Sequence, residues 1–293
     1  MTTKRLHIAI QKNGRLAERS LELIRAAGYR LNKSAGELAY SVENAPIDLW
    51  CVRDDDIPTF VADGVADLGI VGRNVLAERT GGDSGLRLDE LMALGFGRCR
   101  LSLAAPEKFA YAGPSSLRGL RIATTYPQIL GRFLKKEGID AEIVNMRGAV
   151  EVAPRLKLAD LICDLVSTGA TLEANGLVEL APLLESEAVL VRAARAFEPS
   201  QQQLVDSILS RFRGVVASQD AKYVMMNAPR SALPEIAKIL PGAASPTVIP
   251  LAGRDDIVAV HAVCQEAVFW ETLEALKASG ATAILVLSID KMM

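Results

Sequence analysis

The chain has 293 residues, enough for two domains or three small ones, since a single core usually stops growing near ~250–300 residues. Half of the residues are apolar and 23% are charged, and 33 Lys and Arg against 35 Asp and Glu leave a formal charge of −2. These values exclude a disordered chain and an overall basic field for nucleic acid or anionic lipid, so any anion site must be local, and no apolar run reaches the ~18 residues of a membrane span.

In chain order, Leu6–Ile10 reads as a strand, too short for the apolar stretch of an export signal, so a cytoplasmic chain is expected. Leu16, Ser20, Leu23, Ile24 and Ala27 fall near one face of a helix that Gly28 closes. Ile47–Val52 predicts a strand. Asp56 stands where an N-cap belongs, before a helix over 57–62 that Gly64 stops. Capping is preferred over a metal cluster for Asp54-Asp55-Asp56, because adjacent side chains diverge. Asp67–Val71 reads as a buried strand, and strands alternating with helices predict a mainly parallel sheet covered on both faces. Thr80 to Gly85 reads as a mobile surface loop.

The theme then repeats. Arg100–Ala104, Arg121–Thr124, Ala141–Val144 and Leu161–Val166 predict strands, with a helix over Ile129 to Glu137, and Ala188–Val191 returns toward the first unit. Two α/β lobes with a cleft between them follow, and ligands in such sheets lie beyond the carboxyl ends of strands. Ser200 to Ala221 carries a long helical pattern through Leu204, Ile208, Phe212 and Val215. Beyond it, Lys222–Asn227, Ser231–Leu240, Thr247–Pro250, Ile257–Cys264, Phe269–Ser279 and Thr282–Ile289 run β-α-β-β-α-β, the ferredoxin-like split unit.

Candidate chemistry is sparse in the usual nucleophiles. The two histidines, His7 and His261, read as strand residues with satisfied rings, which argues against a His-rich metal centre or a Ser/His/Asp triad. Cys51, Cys99, Cys163 and Cys264 are dispersed in apolar stretches and read as buried small hydrophobes. The sharpest element is Leu161-Ile162-Cys163-Asp164-Leu165-Val166-Ser167-Thr168-Gly169-Ala170-Thr171-Leu172, an apolar strand running into small and hydroxyl residues and a short helix stopped by Gly176. It suits a phosphate monoester, with Asp164 free to hold ribose hydroxyls or a hydrated Mg²⁺; a plain Ser/Thr-capped turn is equally open. Lys12 and Arg15, in Gln11-Lys12-Asn13-Gly14-Arg15-Leu16, are cations beyond a strand end, suited to a polyphosphate or simply to a solvated helix start. Glu151, Arg155 and Lys157 are either pyrophosphate-facing groups or a solvated face.

The runs Glu151–Arg155 and Ala159–Leu177 strongly resemble the ATP phosphoribosyltransferase family. The resemblance extends through Gln11–Leu16, Val52–Pro58, Asp67–Ile70, Ile122–Thr124, Tyr126-Pro127, Pro241–Ala243, Ser245–Thr247 and Pro250-Leu251, nearly the whole chain in order. It implies the long form of that family: a two-lobed, periplasmic-binding-protein-like catalytic body, with residues 1–98 plus about 186–215 as one domain and 99–185 as the other, and an ACT-like regulatory domain over 216–293. It implies transfer of phosphoribosyl from phosphoribosyl pyrophosphate to N1 of ATP, with Mg²⁺ carried on the pyrophosphate. Asp164, Leu165, Val166, Ser167, Thr168, Gly169, Ala170, Thr171 and Leu172 would then cradle the 5-phosphate, and Glu151 with Asp164 would hold the ribose. Lys12, Gly14, Arg15, Leu16, Asp67, Gly69, Gly72 and Tyr126 would line the nucleotide or pyrophosphate side. Free histidine would inhibit through Asn227, Ala243, Ser245, Thr247, Val263 and Ala283, in dimers that assemble to a hexamer. A solute receptor with an appended sensor is the alternative from another class, and a phosphoribosyltransferase acting on nicotinate or a free base is the third reading.

Overall fold

The computed structural model describes residues 5–33, 38–80, 86–240 and 245–292. They form β1 (Leu6–Gln11), α1 (Arg15–Ala26), β2 (Leu31–Lys33), β3 (Ala39–Val42), β4 (Ile47–Val52), α2 (Ile57–Ala62), β5 (Leu68–Gly72), α3 (Arg73–Thr80) and β6 (Leu88–Ala93). Next come β7 (Cys99–Pro106), β8 (Arg121–Thr124), α4 (Pro127–Glu137), β9 (Glu142–Asn145), β10 (Leu161–Val166), α5 (Ala170–Ala174), β11 (Leu177–Ser186) and β12 (Ala188–Ala193). Then follow α6 (Pro199–Ser218), β13 (Ala221–Pro229), α7 (Leu233–Ile239), β14 (Thr247–Leu251), β15 (Arg254–Gln265), α8 (Glu266–Ala278) and β16 (Thr282–Ser288). The chain divides into two compact units, Met1–Val205 and Asp206–Met293, the division falling inside α6.

The first unit holds two sheets. One runs β2-β3-β4-β1-β5-β12-β6 and the other β11-β7-β10-β8-β9. Neither is mainly parallel, which corrects the sequence expectation. In the first, only the β4–β1 and β1–β5 pairings are parallel, while β2–β3, β3–β4, β5–β12 and β12–β6 are antiparallel. In the second, the β10–β8 and β8–β9 pairings are parallel and β7 pairs antiparallel with both β10 and β11. The reason is connectivity: β12 brings the chain back from the second lobe and enters the first sheet from its far end. The helices follow the apolar spacing. In α1 the residues Ala17, Ser20, Leu23 and Ile24 are buried, and Leu23 and Ile24 each contribute about 1.5–3 kcal/mol on leaving water. The Ser20 hydroxyl returns to the Leu16 carbonyl at 2.7 Å, so its burial leaves no polar atom stranded.

Asp56 does not cap α2. It has helical dihedrals and no capping hydrogen bond, because Asp54–Asp56 form a 3-10 turn that feeds directly into the helix. The Thr80–Gly85 loop expectation falls on residues outside the described ones, apart from Thr80, which ends α3.

The lobes of the first unit are clasped by α3 and α4. Both carboxylate oxygens of Glu78 accept from the first turn of α4, from the N–H of Gln128 at 2.8 Å and of Ile129 at 2.9 Å. Arg132 donates back to the Ala77 carbonyl at 2.9 Å. Glu78 thus supplies the cap that α4 lacks in its own sequence, where Tyr126 stands at the N-cap with no side-chain bond.

The second unit has the sheet order β14-β15-β13-β16, all antiparallel. Counted within the unit this is 2-3-1-4, the ferredoxin-like order expected of β-α-β-β-α-β. Val224, Met226, Val258 and Val260 pack on one face against Ile236 and Leu240 at α7 and against Phe269 and Leu276 of α8. Among the described residues no helix is long and apolar enough to cross a membrane.

Glu78→Ala should lower stability by about 1–2 kcal/mol, since it strands two α4 donors and removes a carboxylate from a helix start. Glu78→Gln should lose roughly half as much. Thermal unfolding of the three proteins checks this, and an unchanged Tm in Glu78→Ala would show that the clasp carries no energy.

Candidate active site

The second sheet sets the geometry of the site. In β10 and β8, Cys163 lies opposite Thr124, and in β8 and β9, Thr124 lies opposite Asn145. The parallel pairing therefore stops at one row, where β8 and β9 end, while β10 runs on three residues to Val166 against β7. Beyond β8 the chain enters a cleft as Thr125, Tyr126, Pro127 and Gln128, and beyond β9 as Met146, Arg147 and Gly148. From the first lobe come Arg53, Asp54, Asp55 and Asp56, which follow β4, and Glu78 and Arg79 of α3. The open cleft has a volume of about 930 Å³, room for a nucleotide-sized ligand.

Asp164 follows Cys163, the last residue of β10 paired with β8, two residues before the strand ends at Val166. Burial pushes its carboxyl above the ordinary aspartate range; the Leu165 N–H, 2.8 Å from one oxygen, opposes this, and the charge of Glu151 adds to it. Glu151 sits on the 3-10 turn Val150–Val152, so the two carboxylates predicted to hold one sugar do share one electrostatic neighbourhood. Tyr126 belongs to it too. Its phenol is driven far above its usual range, mainly by burial and further by Asp164, Asp54 and Asp55, with a hydrogen bond from Asn74 opposing. That bond, Asn74 Nδ2 to Tyr126 Oη, is 2.8 Å long and joins the lobes. The backbone N–H of Asn74 donates to Ser186 Oγ at 2.9 Å, and Ser186 Oγ donates to Asn74 Oδ1 at 2.8 Å. Cys163 is fully buried under Asp164, its thiol pushed up to about 12, which makes it an inert core residue.

The loop after β10 takes the form read from its sequence. Gly169 has φ +87°, a left-handed conformation that turns Ser167-Thr168 back over α5, and a Cβ there would meet nothing within 4 Å. Ser167, Thr168, Ala170 and Thr171 are outside the core, whereas Val166 and Leu172 are 2% and 6% exposed and form the floor beneath the loop. These two can offer only backbone to a ligand. Leu165 is 37% exposed beside them.

Several predicted residues stand elsewhere. Asp67 immediately precedes β5, so it lies at the amino end of the parallel strands. Its buried carboxylate accepts from the His7 N–H at 2.9 Å and from Arg195 at 3.1 Å, which makes it a sheet and ion-pair residue and not a wall of the cleft. Gly69 lies mid-strand under α2, where a Cβ would come 2.7 Å from Ile57 Cγ2. Leu16 turns inward, its Cδ1 3.2 Å from where a Cβ of Gly97 would be. Gly72 does end β5, against Asn74. Lys12, Gly14 and Arg15 are exposed past β1, and the Lys12 N–H donates to the Val52 carbonyl next to Arg53. Asn74, Glu78, Ser186 and Arg147 were not anticipated, and no local pattern marks them.

In the second unit, Asn227, Thr247 and Val263 share the open face of the sheet, since Asn227 pairs Ala259, Thr247 pairs His261 and Val263 pairs Tyr223. Ser245 precedes β14, Ala283 has φ 48° at the start of β16, and Ala243 lies outside the described residues. Both histidines do sit in strands with ring partners. His261 Nδ1 is 2.5 Å from Tyr223 Oη, and His7 stacks on Trp50 at 4.3 Å.

The family pattern described as ATP phosphoribosyltransferase matches residues 53–214, and that of its C-terminal domain matches residues 218–291. The chain belongs to the ATP phosphoribosyltransferase family. A curated ATP phosphoribosyltransferase of Maricaulis maris (strain MCS10) is 50% identical over 292 residues, covering 99% of both chains. An ATP phosphoribosyl transferase complex from Thermotoga maritima is 26% identical with a TM-score of 0.60, over 71% of this chain and 98% of that one. An alkanesulfonate-binding protein from Xanthomonas axonopodis pv. citri, at 17% identity and TM-score 0.44, covers 95% of this chain and 94% of its own. The resemblance read from the motifs is borne out for the catalytic body and the C-terminal domain alike, as is the enzyme class, a pentosyltransferase.

The raised Asp164 carboxyl has a consequence for stability. A carboxyl whose folded pKa exceeds its unfolded one costs stability as pH rises from the unfolded value through the folded one. Asp164→Asn should therefore be more heat-stable than the parent at pH 7, the difference vanishing toward pH ~3.9, where aspartate is half protonated in an unfolded chain. Its turnover should fall roughly 10- to 100-fold, the scale of a lost charge-assisted hydrogen bond. Melting curves at pH 4 and pH 7 beside initial rates settle both points.

Proposed function

We propose that the cleft between the lobes is where this enzyme performs its family's reaction, transfer of phosphoribosyl from phosphoribosyl pyrophosphate to N1 of ATP at the opening of histidine biosynthesis. The observation that carries the placement is the convergence of Tyr126, Asp164 and Glu151 at the carboxyl ends of parallel strands, continuous with the Ser167–Thr171 loop. Backbone N–H groups and hydroxyls of that loop hold the 5-phosphate. Asp164 and Glu151 accept from the ribose hydroxyls. Lys12, Gly14 and Arg15 lie toward the nucleotide and pyrophosphate, with Arg53 and Arg147 beside the cleft.

Displacement at the anomeric carbon passes through an oxocarbenium-like state, so alignment and charge neutralisation lower the barrier more than covalent help does. Adenine N1 carries its own lone pair and needs no strong base, which agrees with a site holding no histidine. Among the described residues no three acidic, cysteine or histidine side chains converge into a metal cage. The separate carboxylates Asp164 and Glu151 fit an ion that brings its own phosphate ligands, the usual arrangement for Mg²⁺. When bound, Mg²⁺ supplies neutralisation of the departing pyrophosphate. We assign residues 1–98 with about 186–215, and 99–185, to the two catalytic domains, residues 216–293 to regulation, and the whole to a cytoplasmic dimer-based hexamer. Free histidine then binds the regulatory domain near Asn227, Ser245, Thr247, Val263 and Ala283.

Gly169→Val forces a β-branched residue into left-handed dihedrals, and Thr171→Ala removes a hydroxyl. Each should raise KM for phosphoribosyl pyrophosphate by about tenfold with unchanged circular dichroism, read as pyrophosphate release. Parental constants in both would place the phosphate elsewhere. On the regulatory side, Thr247→Ala should raise the histidine concentration for half-inhibition by roughly tenfold. Parental sensitivity in that variant, or in one with Asn227→Ala as well, would remove the effector from this sheet face.

A further inference from the structure

We propose that Asn74 is a positioning residue that fixes the Tyr126 hydroxyl as a hydrogen-bond donor to an oxygen of the bound phosphoribosyl donor. The inference rests on the reading that this cleft is the active site.

The argument starts from the bonding capacity of three side chains. Ser186 Oγ accepts from the Asn74 backbone N–H and donates to Asn74 Oδ1. In that arrangement the amide oxygen faces the serine. The amide nitrogen, which has only protons to offer, faces Tyr126 Oη at 2.8 Å. Tyr126 must therefore accept from Asn74, and its own proton is left over. Among the described residues no acceptor takes it. The hydroxyl stays protonated, because burial and the surrounding carboxylates hold its titration far above neutral pH. The outcome is a neutral donor on a residue that lines the cleft and senses Asp164, the carboxylate assigned to the sugar.

Two features show that the fold specifies this arrangement. Asn74 and Ser186 are 6% and 4% exposed, so neither exchanges its partner for bulk water. Gly72 gives the amide its space: a Cβ there would come 2.4 Å from Asn74 Oδ1. Its backbone is not in the left-handed region, so the absent side chain answers to the amide and not to a turn. Ser186 ends β11 at the crossover between lobes, and Glu187 beside it accepts from Arg73. The donor is thereby referenced to the crossover as well as to its own lobe.

The test is a double-mutant cycle in kcat/KM for phosphoribosyl pyrophosphate on the full-length enzyme, with Tm recorded for every variant. Tyr126→Phe keeps the ring and should lose roughly 10- to 100-fold. Asn74→Ala should lose a comparable factor, and the double variant should be no worse than Tyr126→Phe alone, because Asn74 acts only through the hydroxyl. A structural role would instead give additive losses that track Tm. If Asn74→Ala does not fold, Gly72→Ala, which displaces the amide, takes its place in the same cycle. Parental kinetics in Tyr126→Phe, or additive losses in the cycle, overturn the proposal. Asp164→Asn in the same assay separates the two levels: impaired Asp164→Asn with parental Tyr126→Phe sinks only the donor, whereas parental kinetics in both sink the placement of the active site.

Discussion

The register of three short parallel strands governs the rest of the catalytic body. β8, β9 and β10 pair so that Thr124, Asn145 and Cys163 lie in one row; β8 and β9 end there, and β10 carries Asp164 one residue past it. A slip of one residue would reverse the faces of that strand and point Asp164 the other way. Such a slip would carry Asp164 into the place of Cys163, which is 0% exposed, and the cost of burying that carboxylate is what forbids it. The apolar core of the second lobe therefore determines where the Asp164 carboxylate stands.

The two sheets meet through polar groups. Glu78 caps a helix of the opposite lobe, and Asn74 joins β5 and α3 to Ser186 and Tyr126. Interlobe contact made by directional bonds fixes an orientation more narrowly than apolar packing does, since a buried donor or acceptor left unpaired costs about 1–3 kcal/mol. That suits a reaction whose barrier depends on aligning an anomeric carbon with a ring nitrogen. It also explains why α3 shows little amphipathic patterning: two of the residues it turns inward, Asn74 and Glu78, are there to make hydrogen bonds.

What the sequence disclosed follows from how local each signal is. The run Leu161–Val166 is buried along most of its length and reads directly as a strand, and the ferredoxin-like order of the second unit emerges from element order alone. β2 and β3 are short, with a single buried residue, Val42, between them, which leaves little apolar alternation to read. β11 contains Pro182 and two register shifts, tolerated because it is an edge strand, and these broke its pattern. Asp67 was placed in the cleft by motif order, which does not say at which end of a strand a residue lies. Its Arg195 partner is 128 positions away. The Asn74–Ser186 bond spans 112 positions, so no spacing rule could have found it.

The chemistry of the cleft is a set of opposed costs. Asp164 is held where its charge is penalised by burial and by Glu151. Tyr126 is protonated beyond any working pH, with one partner satisfied and one proton to spare. On the reading proposed above, a site built this way favours a bound sugar phosphate over the empty cleft without needing a titrating base. It is also why two histidines suffice for the chain: one stacks on Trp50 in the first sheet and the other meets Tyr223 in the second unit, and neither is needed to move a proton.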